Sequence, residues 1–119
     1  MSSRIVASLL AGTVLTAGAV EPLKVLYITG GCCHDYPAQA DLIPQGVEER
    51  ANVKFTVFLD PNVSTASKMK VYEDANWAAA YDVIVHNECY ADVKDPEWTQ
   101  RILKPHKEGK PGVVIHCAM

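Results

Sequence analysis

Imidazoles, thiols and carboxylates fall in four short stretches of this chain. Gly30 and Gly31 lead into Cys32, Cys33, His34, Asp35 and Tyr36, and Asp60 stands alone further on. His86, Asn87, Glu88, Cys89 and Tyr90 form a third group, and His116 with Cys117 a fourth. Histidine and carboxylate ligands suit Zn²⁺, which in catalytic sites takes three protein ligands and keeps a position for water. His34, His86, Glu88 and His116 are therefore the candidate metal ligands, with zinc the candidate metal. Cys117 is a candidate nucleophile. A thiol where a strand passes into a helix is held exposed, and a helix N-terminus lowers its pKa, with base and acid supplied from elsewhere. His116, adjacent to it, is the rival for the apex of that elbow. Cys32 and Cys33 allow a vicinal disulfide, or one cysteine in the core and one in the crevice, the less strained choice. Gly30-Gly31 reads as a tight turn needing positive φ, because a full G-x-G-x-x-G or P-loop pattern is absent.

These residues need elements to position them. Lys24 to Thr29, Tyr81 to His86 and Gly112 to His116 are nearly continuous apolar runs, and Val53 to Phe58 alternates in part. Continuous Val/Ile runs mark strands buried on both faces, as in a parallel sheet covered by helices. Between the first two runs, Ala40, Ile43, Val47 and Ala51 recur at helical spacing within Ala38 to Ala51, and Pro44 and Gly46 should kink or shorten that helix. Asp95-Pro96 is a start signal for a second helix that turns Trp98, Ile102 and Leu103 inward and ends by Gly109 and Pro111. Between Ser64 and Ala80 only short turns around Ala75 to Ala79 are expected.

The order is strand and helix in alternation, which right-handed crossovers wind into an open parallel sheet with helices on both faces. The first strand should be central, touching the second and third, with the fourth beside the third. Ligands of such sheets bind beyond the carboxyl ends of the strands. Three of the four histidines and all four cysteines fall at that edge, so His34, His86, Glu88, His116 and Cys117 are expected to face a common crevice. The fourth run ends at the last residues with no helix to follow. The chain thus reads as the N-terminal part of a longer domain, with Val113, Val114 or Ile115 partly exposed.

Composition bounds the rest. A chain of 119 residues with 49% hydrophobic and 21% charged residues has the size and make-up of one globular domain. Its net charge of −3, with no basic cluster, argues against a nucleic-acid partner. Residues 1–19 read as a signal peptide: Arg4 is the positive start, Ile5 to Leu15 the apolar run, and Ala17-Gly18-Ala19 the small-residue cleavage site. Cleavage predicts a secreted or periplasmic protein, residues 20–119, without a membrane attachment. The alternative is an uncleaved N-terminal anchor, although the run is shorter than the roughly 20 strongly apolar residues of a spanning helix.

The stretch from Lys24 to Tyr36, ending in Gly-Gly-x-x-His-Asp-Tyr, resembles the trehalose-utilisation (ThuA-like) domain family, as do Tyr81 to Glu88 and Lys110 to His116. The resemblance covers Leu23 to Met119, about the first half of a full family domain. It implies a flavodoxin-like, doubly wound parallel sheet of the class I glutamine amidotransferase-like kind, truncated after its fourth strand. It also implies a role in carbohydrate use and a small-molecule sugar partner. His34, Asp35, Tyr36, Glu88 and His116 become crevice residues by this likeness. The amidotransferase relatives carry a nucleophilic Cys in G-x-C-x-G, but here His116 falls on that place, Cys117 one beyond, and the flanking glycines are absent. The leading expectation is a secreted domain that binds or transforms a sugar, with zinc a possible cofactor. Two alternatives are a non-catalytic sugar-binding accessory module and a Cys117-dependent amidase or hydrolase.

Overall fold

The computed structural model describes residues 18–118. Four strands, β1 (Leu23–Gly31), β2 (Val53–Asp60), β3 (Val83–Cys89) and β4 (Gly112–Val114), form one parallel sheet in the order β2-β1-β3-β4. Two helices, α1 (Tyr36–Glu48) and α2 (Pro96–Lys107), and a 3-10 helix at Lys70–Glu73 complete the order. The fold is α/β, a parallel sheet flanked by helices and consistent with a flavodoxin-like arrangement. β1 is central, as its apolar run requires: Tyr27 and Ile28 are fully buried on opposite faces. Each such side chain contributes about 1.5–3 kcal/mol over an exposed one.

Strand alternation sorts the chain onto two faces. Val25, Tyr27 and Val85 meet Ile43 of α1. Leu26, Ile28 and Ile84 pack with Met69, Tyr72, Trp77 and Ala78, and Trp98 and Ile102 of α2 close against them. The 69–78 segment, expected only as short turns, thus supplies a large part of one core. Its contribution comes from Tyr72 on the 3-10 helix and Met69, Trp77 and Ala78 beside it, a short irregular stretch that leaves no periodic signal.

Helix α1 starts two residues earlier than its apolar spacing suggests. Asp35 caps it, its Oδ1 accepting from the Ala38 N–H (3.1 Å), and Pro37 occupies the first turn. It runs through Pro44, which is buried, and Gly46 without interruption, and ends at Glu48. α2 begins as expected, with Asp95 accepting from the N–H groups of Glu97 (3.0 Å) and Trp98 (3.2 Å). Gly109, at φ +99°, follows its end. Leu103, expected inward, is exposed. β4 is shorter than its apolar run: pairing stops at Val114, opposite His86. Val113 and Val114 are half exposed on this edge strand. Of residues 1–19, expected as a signal peptide, 1–17 lie outside the described residues; Gly18 and Ala19 are exposed and carry no regular structure. No helix among the described residues is long and apolar enough to cross a membrane.

Candidate functional site

The carboxyl ends of β1, β3 and β4 bring the chemistry-bearing residues to one edge, where they make contact in two groups. The first group is His34, His116 and Cys117, all exposed. Cys117 Sγ lies 2.7 Å from His116 Nδ1 and 4.0 Å from His34 Nε2, and the two imidazole rings meet edge to face at 4.9 Å. One ligand atom from each residue lies within 4.8 Å of the others, close enough to hold one metal ion. Alternation along a strand would point His116 and Cys117 apart. They come together because β4 ends at Val114 and His116 adopts φ +50°, a left-handed turn.

The second group lies on the α2 face. His86, buried in the middle of β3, places Nδ1 3.0 Å from Glu88 Oε1 and 3.0 Å from the Tyr72 hydroxyl. That hydroxyl donates to Glu88 Oε1. His86 Nε2 meets His106 Nε2 at 3.0 Å. His106 Nδ1–H donates to the Lys110 carbonyl (2.8 Å), which leaves its Nε2 to accept the His86 Nε2–H. Burial and the adjacent Glu88 push the Tyr72 phenol well above its ordinary pKa, so it stays a donor. Glu88 Oε2 is buried without a hydrogen-bond partner among the described residues.

His86 and Glu88, expected to ligate with His34 and His116, are therefore engaged with Tyr72 and His106, and Cys117 takes their place in the metal-capable cluster. Sequence reasoning missed His106. Its spacing was informative: Trp98, Ile102 and His106 recur every four residues on α2, and the first two are the ones turned inward. Tyr72 left no comparable signal.

Asp35 is committed to its helix cap. Tyr36 is buried, its hydroxyl pushed up to about 12 by burial and by the Cys89 and Cys117 thiols, and its ring supports His34 edge-on at 5.7 Å. Cys32 and Cys33 are joined as a vicinal disulfide, which corrects the expectation of one core and one crevice cysteine; Cys89 is the buried one. For Cys117, the candidate nucleophile, the neighbouring Cys89 thiol and then desolvation raise the pKa. Gly30 and Gly31 do take the expected positive φ, at +143° and +103°, but as the last two residues of β1, paired with Glu88 and Cys89, and not as a turn. A Cβ on Gly31 would lie 2.2 Å from the Cys89 carbonyl oxygen, so the close approach of β1 and β3 needs glycine there.

A cleft of about 560 Å³ opens beside the second group, between α2 and the β3–β4 edge. Trp98, Tyr90, Ile102 and Val114 give it an apolar wall. His86, Glu88, Ser67 and Thr99 add polar atoms, and Cys117 joins it to the metal-capable cluster. No family model, curated protein or solved structure matches this chain.

Proposed function

We propose that this chain is a ThuA-like domain of an exported protein that binds a small carbohydrate in the cleft between α2 and the β3–β4 edge. The observation that carries the reading is the make-up of that cleft. Its aromatic and aliphatic wall suits the C–H faces of a sugar ring, and the Ser67 and Thr99 hydroxyls suit its hydroxyl groups. Its volume falls in the usual range of small-molecule sites. The metal in this reading is zinc, held at the cleft mouth by His34, His116 and Cys117. A donor set of two imidazoles and one thiolate matches zinc's preference and leaves a fourth position open. Zinc would displace the thiol proton, reversing the effect of Cys89 on Cys117.

The reading is one of binding, and no covalent step is assigned. Close contact between Cys117 and His116 favours thiol chemistry as the second reading, but the raised thiol pKa opposes it in the metal-free chain. The test is calorimetric titration with a panel of mono- and disaccharides, with and without Zn²⁺. Saturable binding that falls about tenfold or more in Trp98→Ala is expected. Absence of binding to every sugar in both conditions overturns the carbohydrate reading.

A further inference from the structure

The loop that delivers His34 is built unusually. Gly30, Gly31 and Cys33 all have positive φ, the last at +83°. Glycine enters that region freely, whereas a cysteine has a Cβ to accommodate and rarely does. The backbone on one side is anchored: the Cys32 N–H donates to the Cys89 carbonyl at 3.4 Å. On the other side Asp35 is the cap of α1. His34 is thus the single residue between a small covalent ring, Cys32–Cys33, and a capped helix. Its own side chain makes only loose contacts, 4.0 Å to Cys117 Sγ and ring packing on Tyr36 and His116. What aims His34 is therefore its backbone.

We propose that the Cys32–Cys33 disulfide is a redox switch on the His34, His116 and Cys117 site: closed, it aims His34 at the other two ligands; reduced, it releases it. The inference rests on the reading of that cluster as a metal site. The disulfide ring spans the peptide bond between the two cysteines, so it constrains the turn at Cys33 from which His34 departs. A dithiol reductant supplies two electrons and two protons and is itself oxidised to a disulfide, the Cys32–Cys33 S–S bond breaks, and two thiols form. Cys33 is then free to return to an ordinary φ, which swings His34 out of line with a site whose affinity depends on preorganisation.

The test uses the full chain and Zn²⁺, with a chromophoric chelator as competitor. It compares the oxidised chain with chain reduced by a water-soluble phosphine, which gives its two electrons to the disulfide and takes oxygen from water to become the phosphine oxide, and then desalted without air. The reduced chain and a Cys32→Ser/Cys33→Ser variant, which has neither the ring nor the extra thiols, are each expected to bind Zn²⁺ about tenfold or more weakly than the oxidised chain. Equal or tighter binding in the reduced chain overturns the switch and leaves the metal site standing. Should the serine variant fail to fold, the reduced chain, its fold checked by circular dichroism, decides alone. If the oxidised chain binds no Zn²⁺, or binds it unchanged in His34→Ala and Cys117→Ser, the metal site falls and the switch with it.

Discussion

His86 shows how much of this site depends on single hydrogen-bonding atoms. Both of its ring nitrogens are engaged in a buried setting, one by Glu88 and Tyr72 and the other by His106. Removing His106 leaves the His86 Nε2–H without an acceptor, and a buried donor that loses its partner costs about 1–3 kcal/mol. His106→Ala is therefore expected to lower stability by that amount in urea unfolding. An unchanged midpoint would mean that water replaces the imidazole, and that the histidine pair does not organise the cleft. Asn87, on the opposite face, is tied down in the same way. Its Nδ2 donates to the Tyr27 hydroxyl (2.6 Å) and to Gln39 Oε1 (2.8 Å), locking α1 to β3. Neighbouring residues of one strand thus hold the helices of both faces.

At the scale of elements, α2 shows how a start signal is tied into the rest of the fold. Asp95 caps the helix and also pairs with Lys68, which sits at 5.2 Å over the Trp98 ring. The Lys68 hydrogen bond, then that from the Trp98 N–H, hold the Asp95 carboxyl below its ordinary value of 3.8. A carboxyl lowered in the folded state stabilises it above the unfolded pKa, and the contribution is lost as pH falls through the folded one. Asp95→Ala is thus expected to lower the urea midpoint at neutral pH, with the gap to wild type closing as pH drops below 3.8. A gap that persists in acid would assign the effect to something other than the ionised cap. Much of this level was legible in the residues: Asp95-Pro96 marks the start of α2, and the apolar runs mark the strands. The 69–78 segment was not, because Tyr72 and Trp77 reach the core from a turn whose burial depends on what lies opposite.

For the whole molecule, the sheet order puts β4 at an edge that no strand among the described residues covers, with Val113 half exposed. An unpaired apolar edge is a template for another strand, and a lysine on it is a common protection. Val113→Lys is expected to change stability by less than about 0.5 kcal/mol, as exposed substitutions do, while reducing self-association in light scattering. A larger loss of stability would show that Val113 packs against something when the protein is in solution.

The amino-acid sequence by itself determined the parallel sheet, its central strand and the edge at which His34, His86, Glu88, His116 and Cys117 gather. Apolar continuity and turn residues act locally, and a parallel sheet sends every strand's carboxyl end the same way. Tertiary structure alone decided which of these residues touch. His86 and Glu88 turned toward His106 and Tyr72 because strand alternation puts them on the α2 face. Cys117 joined His34 and His116 because β4 stopped at Val114 and His116 took a left-handed turn. Where a strand ends, and which face a side chain takes there, depends on pairing partners far away in the chain, and residue spacing carries no record of them.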